Sequence, residues 1–511
     1  MPAAQATPPD AAAATPSSAA PAAPPVIAPA MGPAAPPAAS ASPGLSQRLG
    51  LYTATMIVIG SVIGSGIFVK PATMAAQLRS PVLLLGIWTL AGLLTLAGAL
   101  TNAEIAGMIA STGGQYVFFR RIYNDFVGYL YGWSVFSVIQ TGSIASIAYV
   151  FAEYCGYFIK LPRLAPQWEQ LSVSLLGGAI TMAPFEQLGV KLLTVACILV
   201  LTSVNIVGVV AGGLLQNVLT TAKLAAIAAI AGAAFAFSDG RSGSLTAATW
   251  SGGLHQLDDP WGLLRALGLA LAGAFWAYDG WNNITYVAGE LREPRRTIPR
   301  SLLLGTATVV AIYTAINVAY LYVLPLDELA RSELVAAAAL ERVLGHVGAA
   351  IVAALVVVST FGTVNGTTLA SARVSFAMAR DGLFWRGLGH ISPRFRTPAR
   401  ALVVQGLWAS ALVFSGTFNQ LTDMLIFVSW IFYALGALGV FVLRRREPDA
   451  PRPYRVWGYP WVPAAFTLFA VGYVALTLRE NPRDSLFGLL LVATGLPGYF
   501  YWRRRGAAAP A

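Results

Sequence analysis

The sequence predicts an all-α integral membrane protein with 12 transmembrane helices, on two observations. Of its 511 residues, 56% are hydrophobic and only 11% charged, and the mean hydropathy is +0.65. That is far more apolar side chain than one globular core hides. A bilayer-spanning helix needs about 20 mostly apolar residues. Such runs recur at 51–77, 82–110, 126–155, 189–209, 214–237, 262–289, 299–324, 345–374, 399–417, 421–443, 460–478 and 485–502.

Along the chain, residues 1–47 come first and are nearly all Ala, Pro, Ser and Thr. They read as a disordered tail, having too few large apolar groups to offset the entropy of ordering. No basic segment with a short apolar core and cleavage site precedes span 1, which is therefore expected to direct insertion itself. Span 1 carries GSVIGSGIF at 60–68, three glycines and two serines at mid-membrane depth. Span 2 holds Glu104 and span 8 holds Asn365, both read as helix-to-helix bonding groups. Cys155 and Cys197 lie in or at the edge of spans and give no disulfide framework. Span 5 carries Lys223, whose ammonium at that depth costs about 2.5–3.5 kcal/mol on insertion scales. It is expected to face the interior and find oxygen partners. Span 6, within LALAGAFWAYDGWNNITYVAGELREPRRTIPRS, places Asp279, Gly280, Asn282 and Asn283 where a lipid-facing helix would have leucines.

Spans 1 and 6 are five apart. Two five-helix repeats of opposite topology, each with its first helix broken, are the pattern that points to a secondary transporter's binding site. Unwinding frees N–H groups at the start of one half-helix and C=O groups at the end of the other, and lipid satisfies neither. A zwitterion satisfies both. Its carboxylate fits the amides at Gly64, Ser65 and Gly66, where the helix dipole adds attraction. Its ammonium fits freed carbonyls near Val62 and Ile63 and, on span 6, near Trp276 and Asp279. Glycine lets ligand approach backbone closely. Gly60 and Gly64 alone would equally suit a small-residue packing pair; the second break at the same depth tips the balance.

The net charge of +11 follows topology, not a nucleic-acid patch. With the N-terminus inside, cytoplasmic segments hold most of the basic residues, among them Arg120, Arg121, Arg292, Arg295, Arg296, Arg300, Arg380, Arg386 and Arg444 to Arg446. This positive-inside bias places both termini in the cytoplasm. The basic residues after span 6 read as topology signals rather than lipid-headgroup sites.

The segments IGSGIF, AEIAGMIASTGGQY, AYDGWNNITYVAGELREPRRTIPRS, NVAYLYVLP and FGTVNGTTLASARVSFAMARDG together resemble the L-amino-acid transporter family. These are the light chains of heteromeric amino acid transporters and their bacterial homologues, within the amino acid-polyamine-organocation (APC) superfamily. The resemblance runs from about residue 48 to about 445. It implies a ten-helix, five-plus-five inverted-repeat core (48–445) of the APC/LeuT type with broken helices 1 and 6. Two accessory helices (446–505) and a short tail (506–511) follow. It also implies sodium-independent exchange of amino acids.

The resemblance further implies that Lys223 stands where sodium-coupled relatives hold their ion, with Gly60 or Ser61 and Ser359 as partners. Trp276 would close over the substrate from the outer side. Asn282 would bond the substrate or hold the unwound backbone. Asp279 matches members that carry cystine or cationic amino acids, and also neutral exchangers. Eukaryotic family members pair with a single-span glycoprotein through a cysteine in the loop after span 3; the loop 156–188 has none, so no disulfide-linked heavy chain is expected. The Arg- and Ala-rich composition fits a GC-rich bacterial genome and a cytoplasmic membrane. No cofactor or metal is expected, because the three histidines fall at loops or span ends and no HExxH or nucleophile motif appears. That disfavours a membrane-embedded enzyme, and a channel's continuous polar lining is missing too. Exchange against proton-coupled symport through Lys223, and neutral against cationic substrate, stay open on sequence alone.

Overall fold

Two of the membrane helices come apart halfway along their length, and the rest of the bundle is arranged around those breaks. The computed structural model describes residues 48–507 except 176–179, 241–242, 246–259, 333 and 416–417. The tail read at 1–47 and residues 508–511 lie outside the described residues. The first span is α1 (Leu51–Val62) and α2 (Gly66–Leu78). Next come α3 (Pro81–Met108), α4 (Gln115–Ile122) and α5 (Asp125–Cys155), with one π turn at Val135–Ile139. Then follow α6 (Leu188–Val207), α7 (Val209–Phe237) and α8 (Pro260–Tyr278), which gives way to a 3-10 segment, Trp281–Glu290. The remainder is α9 (Pro294–Val323), α10 (Leu326–Arg331), α11 (Val335–Leu344), α12 (His346–Arg380), α13 (Ala399–Leu412), α14 (Phe418–Arg446), α15 (Trp461–Glu480), α16 (Pro482–Ala493) and α17 (Gly495–Ala507).

Local chemistry starts several of these helices. Ser80 accepts the Leu83 N–H at 3.3 Å, with Pro81 in the first helical position of α3, and Asn124 accepts the Val127 N–H at 3.0 Å. Each satisfies a donor that helix entry leaves unpaired.

The halves of the broken spans pair crosswise. α2 packs on α8, and α1 on the 3-10 segment, so the two spans run antiparallel with their breaks side by side. The same pairing continues beyond the helices, where Leu49 N–H bonds the Glu290 carbonyl at 3.0 Å and Arg292 N–H bonds the Leu49 carbonyl at 2.8 Å. α1 also rests on α7, α9 and α12, while α10 and α11 rest on α2.

Eleven helices among the described residues are long and apolar enough to cross a membrane, against the twelve expected. The difference is the ninth run, 399–417: its helix, Ala399–Leu412, has 14 residues. At 1.5 Å per residue that is about 21 Å, short of a roughly 30 Å hydrocarbon core. The 156–188 loop holds a small antiparallel hairpin, Val173–Leu175 with Ile180–Met182, so the chain is not wholly helical. Lys70 is buried in α2, and Lys191, near the start of α6, is buried and bonds the Ala183 carbonyl.

At the basic end an ion pair, Arg373 to Glu290, is 1% exposed on both sides at 3.0 Å. It ties α12 to the end of the 3-10 segment. Nearby Glu104 receives Arg444 at 2.9 and 2.7 Å and the Val456 N–H at 2.7 Å, which fastens α14 and the following linker to α3. Removing one partner of a buried pair strands a charge at a cost of about 3–5 kcal/mol. Arg373→Met is therefore expected to lower the melting temperature in detergent, and Glu290→Gln with Arg373→Met is expected to lose less than the single variant. A double variant no more stable than the single one contradicts a stabilising pair.

Candidate functional site

The break in span 1 begins where Ile63 leaves helical geometry at φ −73°, ψ 89° and ends at Ser65, which precedes α2 without a side-chain cap. The first amides of α2 need acceptors. None is recorded for the N–H groups of Ser65, Gly66 and Ile67 among the described residues. A side chain at Gly66 would stand 2.5 Å from the Cα of Ala277, so glycine is what lets the two broken spans touch there. Gly280, at φ +96°, does the same from span 6: a Cβ would meet the Ser61 carbonyl at 2.8 Å.

The freed carbonyls have partners from three other spans. Lys223, 2% exposed, puts its Nζ 3.1 Å from the Gly60 carbonyl, 2.7 Å from the Ile63 carbonyl and 2.9 Å from Thr363 Oγ1. Thr363 Oγ1 donates to the Ile63 carbonyl at 2.8 Å, and Ser359 Oγ donates to the same carbonyl at 3.4 Å. The lysine thus joins span 5 to the end of α1 and to α12 through three neutral oxygens. Three expectations change. Ser61 makes no bond to Lys223, its hydroxyl being buried without a partner, and Ser359 reaches the shared carbonyl rather than the ammonium. The Ile63 carbonyl, expected to meet a substrate ammonium, is turned toward the lysine instead, because a buried ammonium without carboxylate partners draws the nearest free carbonyls. The Tyr313 hydroxyl lies 3.1 Å from the carbonyls of both Val62 and Ala277 and bridges the two breaks.

Between the breaks lies a hollow lined by Ser61, Val62, Gly64, Ser65, Gly66 and Trp276, with Asp279, Ser143, Ile147 and Thr363 completing the wall. The space open to the centre of a water-sized sphere is ≈ 10 Å³, room for about one water. The hollow is therefore too small for an amino acid unless a wall moves. Trp276, 6% exposed at the end of α8, is part of that wall. Asp279 faces the hollow, with Oδ1 held by the Tyr433 hydroxyl of α14 at 2.7 Å.

Asn282 is not in this wall. Its Nδ2 donates to Gln115 Oε1 at 2.7 Å and to the Tyr286 hydroxyl at 3.1 Å, and the Tyr131 hydroxyl joins both at 2.6 Å. This network braces the 3-10 segment. Asn365 accepts from Asn205 at 2.9 Å, tying α12 to α6. Among the described residues no cluster of His, Cys, Asp or Glu is placed to hold a metal.

Thr363, Tyr433, Tyr313 and Ser143 were not singled out from sequence. Only Thr363 left a signal, since it lies one helical turn beyond Ser359 on the same face.

A sequence profile described as amino acid permease matches residues 49–492. The chain is 33% identical over 463 residues to the human b(0,+)-type amino acid transporter 1, covering 89% of this chain and 88% of that protein. It is 31% identical to the serine/threonine exchanger SteT of Bacillus subtilis strain 168, covering 91% and 99%. It is 32% identical to the mouse large neutral amino acids transporter small subunit 2, covering 91% and 84%.

A hydrogen bond to a charged group is worth about 1.5–3 kcal/mol, so its loss is felt at roughly tenfold or more. Lys223→Ala is expected to cut transport in liposomes by at least that factor while size-exclusion behaviour stays unchanged. Thr363→Val, which keeps shape and removes one oxygen, is expected to do less. Wild-type rates in both variants contradict the bridging role.

Proposed function

Because the chain belongs to the amino acid permease family, we propose that it is a sodium-independent exchanger of L-amino acids that works by alternating access. The family makes it a multi-pass membrane transporter rather than an enzyme. The observation that carries the finer reading is that the amides of Ser65, Gly66 and Ile67 have no recorded acceptor among the described residues, at a hollow between two broken helices that Ser65, Gly66 and Asp279 line together. The substrate carboxylate takes the amides, where three donors and the dipole of α2 converge on an anion. The substrate ammonium takes Asp279 and the carbonyl of Val62. Trp276 covers the bound molecule from the outer side, and its withdrawal opens the hollow. Lys223 supplies in place the positive charge that a coupling cation would bring, so no sodium is needed. The relative named a serine/threonine exchanger supports exchange over one-way uptake.

Proton-coupled symport is the second reading, and one feature favours it: the acceptors recorded for Lys223 are all neutral, so nothing nearby holds its proton by charge. A cationic side chain on the substrate is likewise favoured by a carboxylate at the wall. The basic residues placed at one end of the bundle support cytoplasmic termini in a bacterial cell membrane. The loop 156–188 offers no cysteine to a heavy chain.

Labelled amino acid is expected to enter preloaded proteoliposomes far faster than empty ones, with no change when choline replaces sodium. Equal entry into empty vesicles under a proton gradient contradicts exchange. Asp279→Asn is expected to weaken competition by arginine and lysine more than by alanine and leucine if the acid reads cationic side chains. Equal effects across such a competition panel assign Asp279 to the α-ammonium shared by all.

A further inference from the structure

A second pocket, ≈ 180 Å³, opens at the basic end of the bundle, away from the hollow between the broken spans. One wall is the start of α9, with Arg295, Arg296 and Arg300; the other is Pro453 and Tyr454 of the linker between α14 and α15. Among the described residues neither Arg295 nor Arg300 has an ion-pair partner, and Arg296 has only a 3.8 Å approach to Glu293, both side chains more than 70% exposed. Three arginines therefore line one concavity, and among the described residues the exposed Glu293 beside Arg296 is the one carboxylate paired with any of them.

The opposite wall is fixed. Arg452 donates to the carbonyls of Pro448, Ala450 and Glu447 at 2.9, 2.9 and 2.7 Å, and the Val456 N–H is held by Glu104. Gly107 of α3 lies against both walls: a Cβ there would make ordinary contact, 3.4 Å from the Arg295 carbonyl and 3.9 Å from Pro453. The flank is apolar. Leu303 and Leu304 are 40% and 50% exposed, and Trp457 and Trp461 on the linker side are 77% and 79% exposed, the residue types that mark a membrane–water boundary.

We infer that this pocket binds a phosphate-bearing anion, and that its lipid-level flank fits it to the headgroup of an anionic phospholipid. Guanidinium groups recognise phosphate oxygens by paired N–H donors, and basic pockets between membrane helices are suited to such headgroups. A run that also serves as a topology signal thus acquires a binding role once the linker folds over it.

The test is native mass spectrometry and thermal melting of the full chain in detergent, with phosphatidylglycerol and phosphatidylcholine of equal acyl length as probes. Phosphatidylglycerol is expected to be retained and to raise the melting temperature, and phosphatidylcholine is not. Arg295→Gln with Arg300→Gln is expected to weaken phosphatidylglycerol retention by roughly fivefold or more. Should that variant melt early without lipid, Arg295→Lys with Arg300→Lys keeps the charge and is expected to show an intermediate loss. Equal retention of both lipids, or no change in either variant, overturns the site. Full displacement of phosphatidylglycerol by glycerol 3-phosphate or inorganic phosphate keeps the phosphate site and overturns the lipid as its occupant.

Discussion

A buried ammonium set among carbonyl groups is the constraint on which this architecture rests. Opening a helix in mid-membrane exposes peptide groups that lipid cannot satisfy. At the carbonyl side of the span 1 break the protein supplies Lys223, reaching Gly60 and Ile63 from span 5, with Thr363 and Tyr313 completing the set. At the amide side no acceptor is recorded among the described residues. The proposed site rests on this asymmetry: protein side chains reach the carbonyl end, and the amide end is where the reading places a substrate carboxylate. The lysine's own desolvation is offset in part by the same bonds, so the break and the charge each lower the cost of the other.

The same contacts also define what can move together. Lys223 couples α7, the end of α1 and α12, while Tyr313 of α9 holds the two breaks to each other. The buried Arg373–Glu290 pair and the Leu49–Glu290–Arg292 backbone bonds fasten the basic end beneath them. The hollow among these contacts has room for about one water. Trp276 lines it, and the ion pair ties α12 to the end of the 3-10 segment, so the proposed cycle requires these contacts to shift.

The breaks and the buried lysine were legible in the sequence because each is an anomaly against an apolar background. Gly64 to Gly66, Asp279 and Lys223 have no place in a lipid-facing helix. Partner identity was harder to read. Ser359 and Thr363 share one helix face a turn apart, about 5.4 Å, and only the helix's axial position decides which reaches the ammonium. For Asn282 the sequence left two roles open, bonding the substrate or holding the unwound backbone; the segment after Gly280 winds as a 3-10 helix, and there its amide bonds Gln115 and Tyr286. Tyr433 sits 154 positions from the Asp279 it holds, a separation that no local pattern encodes. The short α13 shows the limit of counting apolar residues, since composition continued beyond the point where the helix stopped.

The most direct measurement is a structure with a bound amino acid. The account predicts the substrate carboxylate at hydrogen-bond distance from the amides of Ser65, Gly66 and Ile67, its ammonium on the Asp279 side, and Lys223 still seated on Gly60 and Ile63. A substrate bound elsewhere in the bundle, or a span 1 that runs unbroken through residues 60–68, would contradict it.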